Sequence, residues 1–178
     1  MTASAQDLAL KQAYDVCWGH SQALQDALAD MQLRQLSPSE YQHLSKPDRR
    51  LLDQFAYRYT RLQDDIGNRL MPAILKAMGE DVAAMPALDR FARLEQLGWL
   101  ASAEVWNLLR QIRNQFTHDY PDSVTERFER LQAATQAAHQ LLELMAHITT
   151  KLRQRFGNAT DPLSNCLSCA NANGGSGA

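Results

Sequence analysis

The sequence predicts an all-α fold, an up-and-down bundle of four to five helices. Two observations carry that prediction. Apolar residues recur at three- and four-residue spacings through most of the chain. Only 8 Gly and 6 Pro are present in 178 residues, and several fall between the periodic stretches. A hydrophobic fraction of 45% with 21% charged residues is ordinary for a globular protein, and the length suits one domain with a real core.

The first helix is expected from about Ala5 to Leu33, where Leu8, Ala9, Cys17, Leu24, Ala27, Leu28 and Met31 keep the helical spacing. Leu36 to Pro47 carries two prolines and three serines and reads as a loop. A second helix is expected from near Asp48 to Gly79, bent or split by Gly67 and Pro72 because proline cannot donate to the helical ladder. A short third helix follows from Ala87 to Leu100. Ser102, Ala103 and Glu104 mark the next start, a hydroxyl cap with a carboxylate in the first turn. The fourth helix then spans about Ala103 to Asp119 and stops before Pro121, and a fifth runs from Asp122 or Ser123 to about Phe156. The expected division is a helical domain over 1–156 and a mobile tail over 157–178, where periodicity ends in Gly, Ser and Asn.

A formal net charge of -2 argues against coating nucleic acid by bulk charge, although 18 Lys and Arg leave room for a local cationic cleft. Cys17 sits in an apolar stretch and is expected to pack as a small buried side chain. Cys166 and Cys169 form a CxxC with no second pair and no histidine nearby, too few ligands for zinc. The N-terminus lacks the basic and apolar segments of a signal peptide, and no run reaches membrane-spanning length. A cytoplasmic location with no membrane partner is therefore expected.

RNQFTHDY, Arg113 to Tyr120, is the densest cluster of chemically useful side chains. On a helical wheel Val105, Leu108, Leu109, Ile112 and Phe116 form the face expected to enter the core. Arg110, Arg113, Asn114, Thr117 and His118 form a neighbouring polar arc, and Arg113 and Tyr120 share a direction if the helix persists. Arginine offers a fork of donors to phosphate. Histidine near neutral pH can take a proton from a ribose 2'-hydroxyl or give one to a leaving oxygen. Asparagine can orient the histidine or bind a phosphate oxygen. The set suits phosphodiester chemistry with no metal or cofactor, and two copies facing each other would supply both acid and base. The bland alternative is a solvated helix end, where a histidine merely complements the helix dipole.

These residues resemble the Arg-(four residues)-His-x-Tyr motif of HEPN-domain proteins, in particular the HepT toxins. The resemblance extends over about Tyr57 to Asp122, through RLQDDIGNRLMPAILKAMGE and RLEQLGWLASAEVWNLLRQIRNQFTHDYPD. It implies a HEPN-like homodimer with the motifs lining a shared cleft. The implied activity is metal-independent endoribonuclease cleavage leaving a 2',3'-cyclic phosphate, with RNA and not DNA as substrate. Matched by position, Arg113 and His118 would be the catalytic pair and Asn114 their support. Tyr120 matches the tyrosine that a cognate nucleotidyltransferase antitoxin modifies with adenylate groups, and added phosphates there would compete with RNA for Arg113. Asp64, in a segment resembling one that faces the cleft, would hold His118 or Arg113 in place. Its alternative is a solvated carboxylate paired with Arg61 or Asn68.

Other residues attract no functional assignment. His20 lies in the first helix, His43 in a loop, and His139 and His147 are eight apart, wrong for a metal pair at four-residue spacing. Trp18, Trp99 and Trp106 are expected in the core or on a dimer face. Two competing readings stand beside the nuclease: a non-catalytic nucleotide- or substrate-binding subunit of a small nucleotidyltransferase, and a plain dimerisation scaffold.

Overall fold

The computed structural model describes residues 4–118 and 123–156, with only the backbone of His118. Tyr120, Cys166 and Cys169 lie outside the described residues. Among those described, seven α-helices form, and no strand does: α1 (Ala5–Arg34), α2 (Pro38–Gln42), α3 (Lys46–Asp65), α4 (Met71–Ala77), α5 (Ala87–Gln96), α6 (Ala103–His118) and α7 (Val124–Phe156). A π-helical segment, Ile66–Leu70, joins α3 to α4, and a 3-10 turn, Val82–Ala84, precedes α5.

Serines start these helices because a hydroxyl can accept the N–H groups that a first turn leaves without partners. Ser4 and Ser37 form reciprocal capping boxes with Asp7 and Glu40, and Ser45 accepts from the Asp48 N–H. The Ser37 box turns part of the expected Leu36–Pro47 loop into α2. Pro47 falls in the first turn of α3, where its missing N–H costs nothing, so that helix starts earlier than Asp48. Arg34 closes the corner by bonding Asp48 at 2.7 Å and Glu40 at 3.0 Å.

Pro72 widens the second rod instead of splitting it. It has no N–H to give, and its ring would press on the Asn68 carbonyl. The chain relaxes through the π segment, in which the Met71 N–H reaches the Ile66 carbonyl five residues back. The α5 helix ends sooner than the expected Leu100. Gly98 takes a φ of 72°, and the Trp99 and Leu100 N–H groups both return to the Leu94 carbonyl.

Four rods make an up-and-down bundle, and paired contacts give its directions. Arg34 meets Asp48 while His20 meets Asp65, so α1 and α3 run antiparallel. Phe55 and Tyr59 meet Phe116 while Gly67 meets Trp106, so α3 and α6 are antiparallel too. The Tyr14 hydroxyl and Thr149 Oγ1 lie 2.9 Å apart and tie α1 to α7. Fully buried Leu24, Phe55, Tyr59, Leu62, Ile74 and Leu141 fill the space between the rods. Cys17 is buried there as expected, and burial, with the nearby Asp65 charge, pushes its thiol pKa up to about 12.

One face assignment needs correcting. Val105 and Leu108 are exposed, not buried, at 46% and 54%. Three helices, α3, α5 and α7, press on α6, and Trp106, Leu109, Ile112 and Phe116 take up that contact. The rotation carries Arg113 toward α3. No described helix is long and apolar enough to cross a membrane.

Candidate functional site between α3, α5 and α6

Arg113 and Asp64 meet at the α3–α6 seam. Arg113 donates from Nη2 to Asp64 Oδ2, and from Nη1 to Asn114 Oδ1 at 3.0 Å. Asp64 therefore holds Arg113 and takes neither Arg61 nor Asn68 as its ion-pair partner among the described residues. The pair is half-buried, with 19% of the Arg113 side chain and 35% of that of Asp64 exposed. Such a pair loses less to solvent screening than a surface one and escapes the full desolvation cost of a buried one. Thr117 donates back to the Arg113 carbonyl at 3.0 Å, a bond local to the helix.

Beside this pair lies a cavity of about 210 Å³. Gln63 and Asp64 of α3, Gly67 and Asn68 of the π segment, and Arg90 and Phe91 of α5 line one side. Trp106, Arg110, Arg113 and Asn114 of α6 line the other. Three arginines face one aspartate in this lining, a net +2. Gly67 permits the close approach of the two walls, since a Cβ there would lie 3.1 Å from Trp106 Cζ2. The Arg110 guanidinium lies 5.4 Å from the centre of the Phe91 ring, and Phe91 packs edge-on against Trp106 with centroids 6.0 Å apart.

The seam is also rich in buried polar atoms without partners among the described residues. Both atoms of the Gln63 amide, Trp106 Nε1, Arg113 Nε and the Tyr59 hydroxyl share this condition. Burial raises the Tyr59 phenol pKa, opposed by the nearby Arg113 charge. An orphaned buried donor costs roughly 1–3 kcal/mol, so several on one seam are unusual unless something serves them.

The sequence-predicted residues divide accordingly. Asp64, Arg113 and Asn114 come together, and His118 follows five residues after Arg113 on the same helix. Tyr120 lies outside the described residues. From sequence, Gln63 and Arg61 stand beside Asp64 as neighbours between which no choice can be made, and the structure puts Gln63 in the lining. Sequence reasoning missed Arg90, and no local signal marks it, because α5 meets this seam only in three dimensions.

A second polar group went unrecognised on the other side of α3. His20 Nε2 lies 3.4 Å from Asp65 Oδ2, and its Nδ1 lies 3.4 Å from Arg58 Nη1. Arg69 Nε approaches Asp65 Oδ1 at 3.3 Å. Burial lowers the His20 pKa, with Asp65 acting against that shift and Arg58, Arg61 and Arg69 adding to it. Asp65 sits where the π segment begins, which places its carboxylate toward α1 while Asp64 turns to α6.

No protein-family model matches the chain, and neither does any curated protein or solved structure.

Proposed function

We propose that this chain is a metal-independent endoribonuclease of the HepT-like toxin kind, acting as a homodimer. The observation that carries the reading is the clamped Arg113, held by Asp64 and Asn114 beside an arginine-lined cavity and five residues ahead of His118. In this reading His118 takes the ribose 2'-hydroxyl proton, and the 2'-oxygen attacks the adjacent phosphorus. The bond to the 5'-oxygen breaks and a 2',3'-cyclic phosphate remains. His118 of a second copy returns a proton to the leaving oxygen. Arg113 stabilises the charge that builds on the phosphate oxygens, and Asp64 is its positioning residue. Tyr120 is the site at which a nucleotidyltransferase antitoxin silences the protein with adenylate groups.

Pairing of two copies is supported by the exposed apolar Val105 and Leu108 on the helix that carries Arg113. The test is cleavage of a labelled RNA in EDTA by wild type and by His118→Ala. Loss of cleavage in the variant with an unchanged melting temperature is expected. Equal cleavage by both proteins would overturn the reading. The nucleotide-binding alternative draws on the cavity itself, whose size is below the roughly 300–1,000 Å³ of typical small-molecule sites but sufficient for a phosphate group.

A further inference from the structure

Arg113 is largely committed within the protein and keeps one N–H on each Nη nitrogen, enough for a single phosphate. Its Nη2 serves Asp64 and its Nη1 serves Asn114, and its Nε is buried. The other two arginines of the cavity are differently placed. Arg90 commits only Nε, to the Met85 carbonyl at 3.0 Å, which fixes the side chain and leaves both Nη groups unclaimed among the described bonds. Arg110 rests on the Phe91 ring and makes one long contact to Asn107 at 3.4 Å. Two anchored guanidinium groups with spare donors thus face one cavity.

The floor of that cavity is the second, independent observation. Gln63 is 3% exposed and Trp106 is 1% exposed; both residues line the cavity, and both carry buried polar atoms without partners among the described residues. Trp106 Nε1, Arg113 Nε and the Gln63 amide nitrogen are all donors. Three arginines against the single carboxylate of Asp64 make the lining complementary to an oxyanion. A volume of about 210 Å³ has room for a phosphate group.

We propose that the cavity between α3, α5 and α6 is a phosphate subsite for a phosphodiester of RNA adjacent to the one that is cut. Arg90 and Arg110 are its binding residues, and Gln63 and Trp106 are its floor. The proposal rests on the nuclease reading for the identity of the ligand. The three arginines then have separate roles, with Arg113 reserved for the reacting phosphate while Arg90 and Arg110 hold the neighbouring one. The Gln63 amide is then a buried polar group kept for binding at the expense of stability.

The experiment uses a short 2'-O-methyl RNA, which cannot be cleaved, and reads its affinity by fluorescence anisotropy at several salt concentrations. Arg90→Gln and Arg110→Gln should each weaken binding about tenfold and flatten the dependence on salt. Arg153→Gln, at the exposed end of α7, should change neither. Gln63→Leu should weaken binding yet raise the melting temperature, because it removes unpartnered buried atoms. A purely structural glutamine would lower the melting temperature. Wild-type affinity in both arginine variants overturns the proposal, as does tighter binding of adenosine monophosphate than of the oligomer, which points to a free nucleotide. Failure of wild type to cleave unmodified RNA overturns the nuclease reading alone, since the anisotropy measurement needs no cleavage.

Discussion

On the proposed nuclease reading, replacing Asp64 by asparagine separates holding Arg113 from binding RNA. Asparagine keeps the shape and one oxygen acceptor but removes the charge. With about a third of the Asp64 side chain exposed, the stability loss belongs near the surface-pair range of roughly 0.2–1 kcal/mol and well below the roughly 3–5 kcal/mol of a fully buried pair. At this chain size that lowers the melting temperature by no more than about 2–4 °C. The effect on turnover is larger. Arg113 is fixed through two of its three nitrogens, and releasing Nη2 lets the guanidinium swing about its bond to Asn114. If the charged hydrogen bond is worth about 1.5–3 kcal/mol in the transition state, kcat falls roughly 10- to 150-fold. Binding moves the other way, because the lining goes from +2 to +3 and attracts a polyanion more strongly. KM therefore falls or stays level.

Steady-state cleavage of a fluorogenic RNA, with thermal melts alongside, measures all three quantities. A wild-type kcat with a raised KM would refute the reasoning, because Asp64 would then contact substrate directly. In an Arg113→Ala background the Asp64→Asn change should have no further effect on kcat, since a positioning residue with nothing to position is silent.

Other perturbations test the frame around the site. Gly98→Ala forces a side chain into a φ of 72° and should destabilise the fold by about 1–2 kcal/mol in a urea melt; its contact with Lys151 Nζ at 2.8 Å adds little, because a lysine tip can move. Gly79→Ala, at a φ of 84° with no atom within 4 Å of the new Cβ, should show the backbone cost alone. For His20 the folded pKa lies below its ordinary 6.5, so between those values the unfolded chain carries a proton that the folded one lacks. Stability should fall as pH drops through 6.5 toward that lowered value, and His20→Gln should flatten this part of the pH profile in calorimetry. Leu108→Glu places a charge on the exposed apolar face of α6; if the proposed homodimer forms through this face, sedimentation should shift toward monomer and RNA cleavage should fall with it. An unchanged sedimentation profile would rule this face out of the interface.

Much of the fold is legible locally because each helix start writes itself in a few adjacent residues. Serine followed three positions later by a carboxylate is enough for α1, and Ser102 is enough for α6, where its hydroxyl accepts from the Val105 N–H at 3.2 Å. Ser37 with Glu40 carries the same pattern, but the flanking prolines and serines give that stretch the look of a loop. The π segment is not legible. Pro72 announces a disturbance, but whether a helix breaks, bends or widens depends on what packs against it. Here the rod stays continuous, and Trp106 packs closely over Gly67 within the π segment. The inward face of α6 escapes the helical wheel for a related reason. Hydrophobicity alone ranks Leu108 as core, whereas a helix packed against α3, α5 and α7 buries the residues those neighbours reach.

By itself the sequence determined the helical class, the caps, and the run of Arg113, Asn114 and His118 along one helix, because these depend on propensities and spacings within a turn or two. Only the tertiary structure decided that Asp64 takes Arg113 as its partner while Asp65 faces His20. It also decided that Arg90, 23 residues before Arg113, shares a cavity with it. Adjacent carboxylates on a helix differ in direction by about 100 degrees, so which one meets the arginine depends on where the other helices lie.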